Sequence, residues 1–221
     1  MTMFSNQQVL RSEPAELLGD WHPLVAQLGT AEGLVEFAAV ANLLRLGAVD
    51  QEPALREFLK RYTAELLLPV ELPAIRHAFE HASRNELREL IAFDGEQKRH
   101  PQLRDFTSAS RRVGQEQLRR LKPLRDQRFI QRYLLAVDEG RAEAWHTLVY
   151  GVTLAVYSLP LRQGLLAYAE RTLGGFIESA AGPLRLTETD CEGLLAEVCG
   201  ELPGAMELLL ASATGPGLCI V

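Results

Sequence analysis

Apolar side chains recur every third or fourth residue through most of this chain, and no stretch alternates with the period of a strand. That pattern predicts an all-α fold, a single domain of roughly ten helices. In residues 31–46, "AEGLVEFAAVANLLRL", Leu34, Phe37, Ala38, Ala41 and Leu44 or Leu46 share one stripe, and Gly47 stops the helix. Pro53 opens the next helix, with Leu55, Phe58, Leu59, Tyr62 and Leu66 turned inward. Pro73 reads as the start of another, whose inward stripe is Ile75, Phe79 and Ala82. Ser83 and Glu86 have capping-box spacing for a helix that gives out near Gly95.

The second half continues in the same way. "DFTSASRRVGQEQLRRL" is a basic amphipathic helix running to Pro123, and another reaches about Asp138. Residues 141–158 are almost all apolar, which predicts a central position. Pro160 begins a long helix to about Ala180, with Leu161, Leu165, Tyr168, Leu173, Phe176 and Ile177 along one side. Thr187 and Asp190 can cap a helix that reaches Cys199. A short helix over 205–211 precedes "TGPGLCIV"; residues 1–20 and 212–221 are expected to be flexible.

Charge narrows the choice of partner. A net charge of -6 argues against bulk electrostatic binding to nucleic acid or anionic lipid. The charge is segregated: residues 84–132 hold 13 Lys/Arg against 7 Asp/Glu, and acidic stretches flank them. Such a middle can serve as a docking surface, or simply be the wet face of arginine-rich helices. Cys191, Cys199 and Cys219 form no CxxC, so neither a disulfide framework nor a thiolate metal cage is indicated. The first residues lack an apolar signal core, and no stretch reads as a membrane span, so a cytoplasmic location is expected.

One stretch spells chemistry. "IRHAFEHAS" contains His77, Glu80 and His81 as H-x-x-E-H, the inverted zincin spelling, with two histidines one helical turn apart and a glutamate as base. A catalytic zinc needs a third protein ligand and an apolar cleft. Glu139 and Glu143 are possible donors, but Arg76, Arg84 and Asn85 place the pair on a polar flank, so His77 and His81 are weak metal candidates. The chain has no G-x-x-x-x-G-K-[ST], no G-x-G-x-x-G and no G-x-S-x-G. Gly174-Gly175 reads as close helix packing, and His146 as a hydrogen-bonded core histidine. A helical chain this poor in catalytic groupings is expected to work by binding, without a cofactor.

Two stretches resemble the urease accessory protein F family. In residues 150–198 and the histidine just before them, the family pattern appears as His146, Gly151, Leu159-Pro160, Leu165, Tyr168, Pro183-Leu184 and Thr187. "SASRRVGQEQLRRL" is similar to a family helix through Ala109, Ser110, Gly114, Leu118 and Leu121. Upstream, Gly33 and Leu34 match a Gly-Leu-Glu helix in which Val35 replaces the glutamate, so the resemblance covers roughly residues 24–211. It implies a non-enzymatic, dimeric chaperone for nickel insertion into urease. Such a protein bridges a companion accessory protein to a nickel-carrying GTPase and holds apo-urease. On that reading Gly33, Leu34, Arg111, Arg112, Arg119 and Arg120 are candidate partner-binding residues. The alternatives are a helical zinc metallopeptidase or a chaperone for another metalloenzyme.

Overall fold

The computed structural model describes residues 49–99, 107–124 and 127–211. The helix expected over 31–46, with Gly33 and Leu34, lies outside the described residues, as do residues 1–20 and 212–221. Among the described residues the structure is all-α, with no strand. Helix α1 (Glu52–Tyr62) passes through a π-helical segment (Thr63–Glu71) into α2 (Leu72–Ser83) without leaving helical geometry. Then come α3 (Leu87–Gln97), α4 (Thr107–Arg120), α5 (Arg128–Asp138) and α6 (His146–Val156). The long α7 (Leu161–Leu184), α8 (Glu188–Cys199) and α9 (Leu202–Ala211) complete the order.

The expected new helix at Pro73 is therefore a continuation, and separate helices among the described residues are fewer than the roughly ten anticipated. Pro69 supplies the reason. Within an α-turn it would lose a backbone hydrogen bond and press its ring on the carbonyl four residues back. The wider π turn spaces the chain differently: the Leu72 N–H reaches back five residues to the Leu67 carbonyl. The predicted capping box also fails. Ser83 is the last residue of α2, and Asn85, at φ 58°, closes it in a left-handed turn. The Glu86 N–H returns to the His81 carbonyl at 2.8 Å and the Asn85 N–H to Ala82, a Schellman closure with asparagine in the glycine position.

The inward stripe of α2 is rotated from its expected place. Leu72, Ala74, Ile75 and Ala78 are buried, whereas Phe79 and Ala82 are only half-buried. Periodicity favours the largest apolar side chains, but here the neighbour decides. Gly151 of α6 lies so close to α2 that a Cβ on it would overlap the Ile75 carbonyl, which only small side chains on α2 permit. The central position expected for residues 141–158 holds: every residue from His146 to Leu154 is buried. The helix itself begins only at His146, because the chain before it makes a turn with Ala144 at φ 56°.

Elsewhere the pattern and the structure agree more closely. Leu55, Phe58, Leu59, Tyr62 and Leu66 are all buried, and Phe58 and Tyr62 meet Phe176 of α7 edge-on at 4.9 and 4.8 Å. Helix α7 runs four residues beyond the expected Ala180, through Pro183, and ends with Arg185 in the left-handed region. At α8 the Asp190 N–H donates to Thr187 Oγ1 at 3.2 Å and the Thr187 N–H to Asp190 Oδ2 at 2.9 Å, the anticipated reciprocal cap. Each of the nine described helices adds side chains to the hydrophobic cluster, which α6 crosses between α2 and α4.

Candidate functional site

The most elaborate chemistry lies where α4 closes over the turn that leads into α6. Gly114 makes the approach possible, since a Cβ there would overlap the Ala144 carbonyl oxygen. Around it, Gln115 Nε2–H donates to the Glu143 carbonyl at 3.1 Å, and the His146 N–H donates to Ser110 Oγ at 3.3 Å. From the other side Asp94 of α3, fully buried, receives the turn. Its Oδ1 accepts the Glu143 N–H at 2.7 Å, and its Oδ2 accepts the Ala144 N–H at 2.9 Å and the Tyr133 O–H at 2.8 Å. Trp145 Nε1–H donates to the Asp94 carbonyl at 3.1 Å. Burial raises the Asp94 pKa, and the donors from Glu143, Tyr133 and Ala144 pull it back. Glu143, largely buried, pairs with both Lys98 and Arg111.

Below this clasp a chain of polar groups crosses the core. Ser110 Oγ lies 2.8 Å from His146 Nδ1, and His146 Nε2 lies 2.7 Å from Tyr168 Oη. Tyr168 O–H donates to Glu71 Oε2 at 3.2 Å, and Tyr62 O–H donates to Glu71 Oε1 at 2.8 Å. With Glu71 ionised and Tyr168 donating to it, His146 carries its proton on Nε2 and accepts from Ser110 at Nδ1. Burial lowers the His146 pKa to about 3, so the ring is neutral. Burial raises the Glu71 pKa to about 7 against the two tyrosine donors. The chain joins α1, the π segment, α7, α6 and α4, and all five of its side chains are buried.

The expectation of a hydrogen-bonded core histidine at position 146 is met. Sequence reasoning missed Glu71, Asp94 and Ser110 as its surroundings. A signal existed for Glu71, a lone charge inside "LLLPVELP", near inward tyrosines whose hydroxyls need partners once buried.

Helix α4 turns its other side outward. Arg112, Arg119 and Arg120 are exposed, whereas Arg111 leans to Glu143. Arg120 pairs with Glu116 at 2.6 Å, one helical turn back. At 100° per residue Arg112 and Arg119 fall about 20° apart, so these two share a face.

The H-x-x-E-H pair sits elsewhere, half-buried against α3. The rings of His77 and His81 lie 5.3 and 6.4 Å from that of Phe93. His81 Nδ1 is 2.9 Å from Glu86 Oε2, and Glu80 is 3.3 Å from Arg76. Burial, then the nearby Arg76 charge, lowers the His77 pKa. Of the possible third ligands, Glu139 pairs with Arg141 and Glu143 with Lys98 and Arg111. Among the described residues no three His, Cys, Asp or Glu side chains gather into a metal-holding group. Nor is any helix among them long and apolar enough to cross a membrane.

No curated protein matches the chain. The family model UreF matches residues 49–199, which takes in helices α1 to α8, the α4 clasp and the buried polar chain. With that span covered, the chain belongs to the UreF family of urease accessory proteins.

Proposed function

We propose that this protein is a scaffold for nickel insertion into urease, working as a homodimer in the cytoplasm. On this reading it bridges a companion accessory protein and a nickel-carrying GTPase, holds apo-urease in the complex, and treats nickel as cargo. The observation that carries it is the family match over residues 49–199. The architecture supports it: the polar groups around α4 are committed to one another inside the fold, and arginines occupy the outer side of the same helix. Groups spent on holding helices together are not free to make bonds in a substrate, whereas exposed arginines suit charged protein partners.

Gly33, Leu34, Arg111, Arg112, Arg119 and Arg120 are the residues proposed to meet partners. Arg119 makes the cleaner test, because Arg111 also serves Glu143 and Arg120 pairs with Glu116. The experiment is a pull-down of purified companion protein, nickel GTPase and apo-urease. Wild-type protein is expected to assemble with them. Reversing Arg119 to Glu is expected to weaken assembly roughly fivefold with an unchanged melting curve. Failure of the wild-type protein to assemble with any of the three rejects the scaffold.

A further inference from the structure

The arginines do not stop at α4. Beyond its end, Gln131 of α5 donates from Nε2 to the carbonyls of Lys122 and Leu124, both at 3.1 Å, which ties the end of α4 to the outer side of α5. One turn or less from Gln131, α5 exposes Arg128, Arg132 and Leu135. At 100° per residue these three fall within about 60° of each other, so they form one stripe. Leu135 is 53% exposed, one of only two large apolar side chains that stand out among the described residues. Arg119, Arg128 and Arg132 make no ion pair with another described residue, although most of the arginines of α1, α2 and α7 do. Unpaired guanidinium groups on the two turns before a bare leucine, on a chain of net charge -6, run against the sign of the whole molecule.

We propose that this corner, with Arg119 and Lys122 from the end of α4 and Arg128, Arg132 and Leu135 from α5, docks an acidic protein surface that sets an apolar side chain among its carboxylates. The inference rests on the scaffold reading and extends the contact to residues of α5. Charge complementarity chooses the occupant. Arginines give paired contacts to carboxylates, and the leucine supplies the apolar centre around which such contacts are shielded from water. The corner's five residues include no aromatic ring on which bases would stack, and the acidic flanks of the chain repel a long polyanion.

The test measures binding of purified companion protein, nickel GTPase and apo-urease, each at low and high salt. The probes for other occupants are a 20-nucleotide RNA, phosphatidylserine vesicles and sedimentation of the chain alone. At least one protein partner is expected to lose more than about tenfold affinity with R128E/R132E, with the salt dependence reduced. R128K/R132K keeps most of the binding, Leu135→Ser loses a smaller share, and all three variants retain the wild-type melting curve because the sites are exposed. The proposal is overturned if R128E/R132E binds every partner as the wild type does. It is equally overturned if the variant instead loses RNA, vesicle or self-association. If the wild type binds none of the three proteins, the scaffold reading falls and this surface falls with it; intact binding by the variant removes the surface alone.

Discussion

Helix α4 has two sides that obey different rules. On the inner side groups are held by fixed partners: Gly114 beneath the Ala144 carbonyl, Ser110 on the His146 N–H and Nδ1, Gln115 on the Glu143 carbonyl. On the outer side Arg119 and Arg120 stand in solvent with, at most, a same-helix partner such as Glu116. A displaced atom on the inner side leaves a buried dipole unmatched or two backbones in collision. On the outer side, water replaces whatever is lost. The difference separates what holds this protein together from what is left to recognise others.

Four variants sharpen that contrast, and the largest effect belongs to Gly114. Gly114→Val drives side-chain atoms into the Ala144 carbonyl and should destabilise the protein by about 3 kcal/mol or more, read from urea denaturation. A midpoint like that of the wild type would mean that α4 does not close on the turn as described.

Next comes Tyr168→Phe. It removes the hydroxyl between Glu71 and His146, leaving a buried carboxylate and a buried ring N–H each short of a partner. A loss of about 1–3 kcal/mol is expected, with the helical circular dichroism unchanged.

The third concerns pH. Glu71 has its folded pKa raised to about 7 from 4.5, so the native state keeps a proton that the unfolded chain releases. Its contribution is therefore full below 4.5 and is lost as pH rises toward 7. His146 is lowered from 6.5 to about 3, so its contribution is full above 6.5 and is lost as pH falls toward 3. Between 4.5 and 6.5 the two slopes oppose each other. Glu71→Gln should remove one of them, so that stability in urea rises with pH across that window by about 1 kcal/mol per unit relative to wild type. Parallel pH profiles for the two proteins would contradict the buried placement of Glu71.

The smallest effect is on the outer side. Arg119→Glu with Arg120→Glu should change stability by no more than about 0.5 kcal/mol. A larger drop would mean that these arginines serve the fold.

Much of this was legible in the order of residues. The all-α class, the burial of Leu55, Phe58 and Tyr62, the cap at Thr187 and Asp190, and the hydrogen-bonded state expected of His146 follow from spacing and from side-chain chemistry. These are local matters: helical period, a hydroxyl three residues from a carboxylate, a polar ring among apolar neighbours. The start assigned at Pro73 and the cap assigned to Ser83 failed for equally physical reasons. A proline marks a boundary only if the chain cannot widen its turn, and Asn85 offered a closure that competed with Ser83.

The chain by itself determined that oily stripes would be buried by helices and that its positive charge would collect between residues 84 and 132. Only the tertiary structure decided that Glu71, Tyr168, His146 and Ser110, brought from four separate elements, would form one line of hydrogen bonds. It also decided which arginine would turn to Glu143 and which would face outward. Helical period acts over a few residues. A buried polar atom must find its partner wherever packing places one, and here that partner came from as far as 97 positions along the chain.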